Sequence, residues 1–163
     1  MIESREFRDH NSINDAYLWG LLQHSSALIF RARELELAQY KITMEQMSIL
    51  HALMISDGSA TLDEIATILV RQHNSVSTIV NRMVKSGLVK KEKRPGQKKY
   101  RVVITEKAQG IVKAIPRKSI EMFFKNLSLK EKQQLATCLE ELITTGHEIL
   151  GHNRNLPFLS NEA

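Results

Sequence analysis

A short stretch of the sequence is rich in side chains that hydrogen-bond to the edges of DNA bases and to phosphates. These polar residues recur along residues 72–82, and the candidates are Gln72, Asn74, Ser75, Ser77, Thr78, Asn81 and Arg82. Apolar residues alternate with them at steps of three and four, which predicts an amphipathic helix with an exposed polar face. Hydroxyl, amide and guanidinium groups on such a face are the donors and acceptors that read a DNA major groove.

Basic residues are concentrated around and directly after this helix. Between Arg82 and Arg101 nine basic residues accompany a single acid, Glu92, so the segment carries +8, whereas the whole chain carries +5 and the remaining residues therefore sum to −3. A positive field confined to one segment is expected of a phosphate-backbone binder. The alternative is a solvated hairpin whose lysines only keep a strand edge soluble. The candidate wing contacts are Arg94, Gln97, Lys98 and Lys99.

Two consecutive helices are predicted to position the polar residues. Thr61 and Glu64 have the spacing of a capping box, and apolar residues follow them at helical steps, which predicts the first helix. The second helix is entered through Asn74-Ser75, and its apolar stripe is Val76, Ile79, Val80, Met83 and Val84. A connection this short makes the two helices cross steeply, as in a helix-turn-helix.

A two-stranded hairpin is predicted after the second helix. Gly87 suits a left-handed helix stop. The β-favouring segments 88–93 and 100–104 flank a turn at 94–99, and Ala60-Thr61 is expected to add one small strand beside them.

Helices are also predicted before this unit. Residues 13–40 form an amphipathic helix whose apolar face is wider than one small domain needs, so we expect it to pack against a second chain. Thr43 and Gln46 form a second capping box at the start of the next helix. The expected buried side of that helix is Met47, Ile49, Leu50, Leu53 and Met54.

Two more helices are predicted after the hairpin. The first runs from Thr105 to about Asn126 and should break near Ile115, because Pro116 lies inside its pattern. The second starts at a Ser128 and Glu131 capping box and ends near Gly151, with the stripe Leu135, Cys138, Leu139, Leu142 and Ile143.

The predicted fold class is mainly α with a small β-wing, in one domain of 163 residues. Residues 42–105 form a winged helix-turn-helix lobe, 13–40 and 106–151 form dimerisation helices, and 1–12 and 152–163 are flexible ends. No segment has the length of an apolar membrane span, the N-terminus has no signal-peptide core, and the single cysteine excludes an intrachain disulfide, so we expect a cytoplasmic protein.

Motifs for catalysis are absent from the sequence. It contains no nucleophile elbow, P-loop, dinucleotide fingerprint or Cys-x-x-Cys, so neither an enzyme nor a cofactor is expected. His147, Glu148 and His152 lie close in sequence, but their spacing fits one helical face poorly, so we expect surface histidines and no metal site. Cys138 is expected to pack on the apolar side of the last helix.

The order and spacing of these elements resemble the MarR family of bacterial and archaeal winged-helix transcription regulators over about residues 13–150. The motifs that carry the resemblance are Ile42-Thr43-x-x-Gln46-x-x-x-Leu50-x-x-Leu53, Glu64-Ile65-Ala66-x-x-Leu69, Ser75-Val76-Ser77-x-x-Val80-x-Arg82-Met83, Gly87-Leu88-Val89, Ile104-Thr105 and Leu127-Ser128-x-x-Glu131. The resemblance implies a homodimer held by the N-terminal helix and the last two helices. Each protomer would place a recognition helix in a major groove, and a wing at the adjoining minor groove, of a pseudo-palindromic double-stranded DNA operator.

Two positions depart from the family pattern. Gly96-Gln97-Lys98 stands where the family's wing usually reads Asp-x-Arg, so the acid that would orient the wing cation is missing and a lysine replaces the arginine. Asn81 stands where an aspartate is common, which removes a helix-to-wing ion pair.

The resemblance also implies a repressor of nearby genes that a small ligand releases from DNA. Candidate contacts for an aromatic or apolar effector are Trp19, His24, Arg31 and His51, and core or interface packing is the alternative for each. The rival function is a winged-helix protein-interaction module without ligand response. The basic hairpin beside a polar helix face favours DNA.

Overall fold

Seven helices and three strands make up the part of the chain that the structure describes, a computed structural model covering residues 14–93, 96 and 99–150. In chain order they are α1 Asp15–Ala38, α2 Met44–Met54, β1 Ser59–Thr61, α3 Leu62–Ile68, α4 His73–Lys85, β2 Val89–Glu92, β3 Arg101–Ile104, α5 Glu106–Ala114, α6 Lys118–Phe124 and α7 Leu129–Leu150. The prediction of a mainly α fold with a small β-wing is confirmed. The ends predicted to be flexible, 1–12 and 152–163, lie outside the described residues.

Reciprocal hydrogen bonds between residues three apart fix the starts of three helices. At α3 the Thr61 hydroxyl accepts the backbone N–H of Glu64 at 3.2 Å, while the Glu64 carboxylate accepts the N–H of Thr61 at 2.6 Å. Such pairs satisfy backbone donors that a helix start leaves open. All three predicted capping boxes are present, namely Thr43 with Gln46, Thr61 with Glu64 and Ser128 with Glu131.

The hydrophobic core lies among α2, α3, α4 and the sheet. Its fully buried side chains include Ile49, Leu50, Leu53, Ile65, Val76, Val80, Met83 and Val102. The prediction that Met54 is buried is wrong, because its side chain is 47% exposed, and Val84 at the end of the predicted apolar stripe is 38% exposed. Both lie in the last turn of their helices, Met54 at the end of α2 and Val84 one residue before the end of α4.

The three strands form an antiparallel sheet in the order β1-β3-β2. Ala60 of β1 pairs with Val102 of β3, which confirms the small strand predicted beside the hairpin. Val89 of β2 pairs with Ile104, and the ladder ends at Glu92 and Arg101, short of the predicted bounds. The sheet therefore joins the base of the hairpin to the chain that leads into α3.

The helical pattern after the sheet is divided at Pro116. α5 ends at Ala114, Ile115 adopts extended backbone angles with φ −73° and ψ 120°, and α6 begins at Lys118. Because a residue before proline avoids the helical region, the predicted break near Ile115 is confirmed.

Most apolar side chains of α1, α6 and α7 are exposed in the single chain. Leu37 is the buried residue of α1, and His147 is that of α7. The exposed large apolar side chains on these helices are Leu18, Trp19, Leu21, Leu22, Leu28, Phe30, Leu35, Ile120, Met122, Phe123, Leu129, Leu135, Leu139, Leu142, Ile149 and Leu150. Large apolar side chains exposed in this number are typical of an interaction site. Within the described residues, no helix is long and apolar enough to cross a membrane.

Candidate nucleic-acid interface

Five of the predicted DNA-contacting side chains lie exposed along one side of α4, and we call them the polar face of α4. They are Asn74, Ser75, Thr78, Asn81 and Arg82. Ser77 is half-buried at the edge of this face, and Gln72 is exposed at the N-cap. The opposite side of α4 is buried in the core, which fixes the rotation of the helix about its axis. The polar face is therefore held toward solvent.

The helix begins one residue earlier than its predicted entry at Asn74-Ser75. His73 is the first residue of α4, and the side chain of the N-cap residue Gln72 makes no capping hydrogen bond. Backbone N–H groups at a helix start that lack a side-chain cap are suited to bind phosphate oxygens. The start of α4 can therefore contribute backbone donors beside the polar face.

Val70 occupies a left-handed conformation in the turn between α3 and α4, with φ +49°. Its N–H donates to the carbonyl of Thr67 at 3.1 Å, and the N–H of Arg71 donates to the carbonyl of Ala66 at 2.9 Å. These two bonds form a Schellman motif, in which glycine usually occupies the left-handed position. A β-branched residue there is strained. The backbone hydrogen bonds thus hold the turn between the two helices, and with it the angle between them, against the conformational strain at Val70.

Gly87 ends α4 in the left-handed conformation predicted for it, with φ +71°. The N–H of Leu88 donates to the carbonyl of Met83 at 2.9 Å, which completes a second Schellman motif. The Thr105 hydroxyl donates to the carbonyl of Gly87 at 2.8 Å. The point at which the chain leaves α4 for β2 is therefore tied to the start of α5.

A direct side-chain bond joins α4 to the hairpin. The ammonium group of Lys91, on β2, donates to the amide oxygen of Asn81 at 2.8 Å. Asn81 stands where the family pattern has an aspartate, and the loss of an ion pair was expected there. The structure retains the helix-to-hairpin connection as a hydrogen bond with a neutral acceptor.

A second bridge connects the start of α4, the start of α3 and the hairpin. The Asp63 carboxylate lies 2.5 Å from Nζ of Lys99 through Oδ2 and 3.5 Å from Nε2 of His73 through Oδ1. The hydrogen bond from Lys99 lowers the pKa of Asp63 and raises the pKa of Lys99. Lys99, a predicted DNA contact, is therefore paired with a carboxylate in the single chain.

Other charges of the hairpin are also paired. Three of the basic residues counted between Arg82 and Arg101 form ion pairs with acids in the described part of the chain, Lys90 with Glu92, Lys99 with Asp63 and Arg101 with Glu64. Arg101 also donates to the carbonyl of Ser59 at 2.6 Å, which anchors β3 to β1. The positive field at the hairpin is consequently weaker than the formal count. Arg94, Gln97 and Lys98 lie outside the described residues.

The sequence and the fold are similar to those of known transcription regulators. The sequence model of the MarR family matches residues 40–99, which include α2, α3, α4 and the hairpin turn. No curated protein matches the sequence. An organohalide-sensing RdhR transcriptional regulator, solved with bound 2,4-dichlorophenol, is 26% identical with a TM-score of 0.71, and the match covers 94% of this chain and 92% of that chain.

The resemblance to the MarR family is confirmed.

Two further MarR structures share the fold. A cysteine-to-serine mutant of MarR from E. coli, solved with operator DNA, is 20% identical with a TM-score of 0.70, and the match covers 77% of this chain and 92% of that chain. AbsC, a MarR family transcriptional regulator from Streptomyces coelicolor, is 19% identical with a TM-score of 0.75, and the match covers 85% and 99%. MarR-family proteins are transcription regulators and not enzymes, in agreement with the absence of catalytic motifs from this sequence.

The four residues predicted to contact an effector do not converge. Trp19 and His24 line an open groove of about 700 Å³, whose described lining residues all belong to α1. Arg31 is instead paired with Glu34 at 3.1 Å, and His51 is exposed on α2. The structure therefore brings Trp19 and His24 to one groove and leaves Arg31 and His51 outside its described lining.

His147 was expected to lie on the surface, and that prediction is wrong, because the residue is only 6% exposed. Its neighbour in sequence Gly146 is half-buried, so this part of α7 faces the protein. Among the described residues, no group of three histidine, cysteine or acidic side chains could hold a metal ion. His152 lies outside them, and Cys138 is exposed in the single chain.

Sequence reasoning missed three residues of the interface, Asp63, His73 and Lys91. Asp63 lies inside the predicted capping box of Thr61 and Glu64, and Lys91 is one of the nine basic residues counted between Arg82 and Arg101. Lys99 and Asp63 are 36 positions apart, so no local pattern could have paired them. The MarR resemblance did not supply the pairing either, because it placed the orienting acid within the wing.

Proposed function

We propose that this MarR-family chain is a homodimeric, sequence-specific DNA-binding regulator that represses nearby genes in the cytoplasm and is released by a small ligand. One observation carries the proposal. The polar face of α4 is exposed beside a basic hairpin, and the hydrogen bond from Lys91 to Asn81 joins the two. A polar helix and a basic wing held in a fixed relation can engage a groove and the adjoining backbone together.

The two elements are proposed to have different tasks. The polar face of α4, with Ser77 and Gln72 at its edges, would contact base edges in the major groove, because its amides and hydroxyls match their donors and acceptors. The hairpin cations Arg94 and Lys98, with Gln97, would contact the phosphate backbone and the minor groove, and Lys99 would do so where a phosphate displaces Asp63. Arg82 can serve either task, since it lies near the end of α4 that faces the hairpin.

Dimerisation is proposed through α1, α6 and α7. These helices expose sixteen large apolar side chains, including Leu21, Leu28 and Leu35 at seven-residue spacing along α1. A second copy of the chain would cover them and place two α4 helices on one DNA duplex. Half-sites read by such a dimer lie about one helical turn, roughly 34 Å, apart.

Ligand control is proposed to act through the same helices. The RdhR relative was solved with 2,4-dichlorophenol, which supports a small aromatic or apolar effector here. The α1 groove offers Trp19 and His24 beside the apolar side chains of Leu22 and Phe30. A ligand that changes the packing of α1 against the second copy would alter the spacing of the two α4 helices and thereby their fit to DNA.

A gel-retardation assay with the chain's own upstream region tests the DNA-binding proposal. Retardation of that fragment, weakening with salt, is expected of a phosphate-contacting regulator. The rival protein-interaction module would bind no DNA fragment selectively. A reporter gene behind the same fragment separates repression, which lowers its expression, from activation, which raises it.

The ligand proposal is tested on the bound complex. We expect release of the DNA by one or more members of a panel of aromatic acids and chlorinated phenols. Release by a chelator would instead point to metal control, and release by peroxide that is lost in Cys138→Ser would point to the thiol. Indifference to every addition would contradict ligand control and leave a repressor governed by its own abundance.

A further inference from the structure

One carboxylate joins both elements of the proposed DNA surface. Asp63 lies in the first turn of α3, between Lys99 on the turn side of the hairpin and His73 at the start of α4. Each carboxylate oxygen faces a different partner, with Oδ2 at 2.5 Å from Lys99 and Oδ1 at 3.5 Å from His73. One side chain therefore links the turn side of the hairpin to the start of α4, in addition to the bond between Lys91 and Asn81.

The space around this bridge is not filled by an apolar core. A cavity of about 280 Å³ opens between the hairpin and the two helices, and it is lined by Thr61, Leu62, Asp63, His73, Lys91, Lys99, Tyr100 and Val102. The side chains of Asp63 and His73 are half exposed, and that of Lys99 is 70% exposed. Polar contacts therefore add to the core packing of Val102 in setting the position of the hairpin against α4.

A carboxylate at this position competes with DNA. Lys99 is a cation and His73 can become one. A backbone phosphate would also bind both side chains. The hydrogen bond from Lys99 lowers the pKa of Asp63, so the carboxylate is fully ionised at neutral pH. A phosphate must therefore displace Asp63 to reach either partner.

We propose that Asp63 is a specificity-determining residue for DNA binding, which orients the hairpin and withholds Lys99 and His73 from phosphates of unmatched DNA. This inference rests on the regulator function proposed above. A non-specific complex depends almost entirely on phosphate contacts and gains nothing from a fixed wing, so it bears the full cost of displacing the carboxylate. A complex with the matched sequence gains affinity from base contacts and can leave the Asp63 bridge in place, so that the wing is already oriented and needs no further ordering.

The variant Asp63→Asn, which keeps the shape and removes the charge, tests the proposal. Two duplexes serve as probes, the tightest sequence recovered by selection from a random library and a random-sequence duplex of equal length. We expect affinity for the random duplex to rise about 3- to 10-fold at roughly 0.1 M salt, with a salt slope steeper by about one unit, as for one added phosphate contact. Affinity for the selected duplex should change less, so the ratio between the two falls.

Three further variants separate this role from a structural or general charge effect. Glu34→Gln removes the same charge from a similarly exposed ion pair on α1, with Arg31 at 3.1 Å, and should leave both slopes unchanged. Asp63→Glu keeps the charge and should retain the wild-type slopes. In a Lys99→Met background, Asp63→Asn should no longer steepen the slope by a full unit, because the cation it would release is gone.

The outcomes distinguish this inference from the proposed function. If wild-type protein selects a sequence and Asp63→Asn leaves slope and ratio unchanged, the inference is overturned and the regulator proposal stands. An equal rise in affinity for both duplexes also overturns it, since Asp63 would then not affect specificity. If the wild-type protein selects no sequence at all, both proposals fail together.

Discussion

Glu36 of α1 forms the N-terminal cap of α6 through Ser119. The backbone N–H of Ser119 donates to the Glu36 carboxylate at 3.3 Å, and the Ser119 hydroxyl donates to the same group. Arg33 donates to Glu36 at 2.5 Å and to the carbonyl of Pro116 at 2.6 Å, so both sides of the break between α5 and α6 are bound to α1. The break therefore has a defined geometry and is the contact between the proposed dimerisation helix and the C-terminal helices.

The Glu36 contact predicts a measurable loss of stability on mutation. Its side chain is 11% exposed, and that of Arg33 is 12% exposed, so Glu36→Gln leaves a largely buried guanidinium without its carboxylate. We expect the free energy of unfolding to fall by about 1–3 kcal/mol, as for a buried hydrogen bond to a charged group. Urea denaturation measures it. Glu34→Gln, an exposed carboxylate on the same helix, should change it by less than about 0.5 kcal/mol.

The same carboxylate predicts a pH dependence of stability. Burial acts to raise the pKa of Glu36, but the hydrogen bonds from Ser119 and Arg33 outweigh it and hold the pKa below its ordinary value. Its contribution is therefore fully present above about pH 4.3, the ordinary value in an unfolded chain, and is lost as pH falls through the lowered folded value. Plotted against pH, the free energies of unfolding of wild type and Glu36→Gln should converge as the pH falls. Parallel curves down to about pH 3 would contradict this assignment.

Val70 predicts a substitution that stabilises the protein. Its left-handed conformation, φ +49°, costs a β-branched residue about 1–2 kcal/mol. Glycine removes this strain, but it also raises the conformational entropy of the unfolded chain, which offsets part of the gain. Val70→Gly should raise the free energy of unfolding by roughly 0.5–1 kcal/mol. The control is Val84→Gly, an exposed valine within α4, which should lower it by about the same amount. A loss of stability in Val70→Gly would show that the valine side chain makes a contact worth more than its strain.

Substitutions in α4 and in the hairpin should affect DNA binding in different ways. Asn74→Ala or Thr78→Ala should cost about 1–3 kcal/mol of discrimination between selected and random duplexes, where a base contact is lost. Lys98→Ala should weaken binding to both duplexes and flatten the salt slope by about one unit. Lys99→Ala should flatten it less, because Asp63 already neutralises this lysine. Equal losses of discrimination in both sets would refute the division of labour between helix and hairpin.

The proposed dimer surface predicts where a charge dissociates the protein. Leu28→Glu on α1 places a carboxylate in the apolar surface and should yield monomers by light scattering. Met54→Glu is the matched control, since Met54 is an apolar side chain on α2 with 47% exposure against 50% for Leu28. The control should remain dimeric. Dissociation of both variants, or of neither, would contradict the assignment of the interface to α1.

Features caused by neighbouring residues were predictable from the sequence. The capping box of Thr61 with Glu64, the helix stop at Gly87 and the break at Pro116 each depend on groups within a few positions of one another. The polar and buried sides of α4 were predictable for the same reason, since helical periodicity alone assigns them.

Contacts between distant residues were not predictable. Glu36 caps α6 through Ser119, which lies 83 positions away in the sequence. Lys99 pairs with Asp63, which lies 36 positions away. Neither pair has a local sequence pattern, because each depends on how whole elements pack. His147 was misplaced on the surface for that reason, since its burial depends on tertiary contacts of α7.

The central claim is that α4 and the hairpin bind DNA of a particular sequence, and a salt titration of affinity tests it most directly. The dissociation constants for the selected duplex and for a random duplex of equal length would be measured across a series of salt concentrations. We expect the logarithm of both affinities to fall linearly with the logarithm of salt concentration, while the selected duplex stays at least about 1,000-fold tighter at physiological salt. Equal affinity for the two duplexes, or affinity that does not change with salt, would contradict the account.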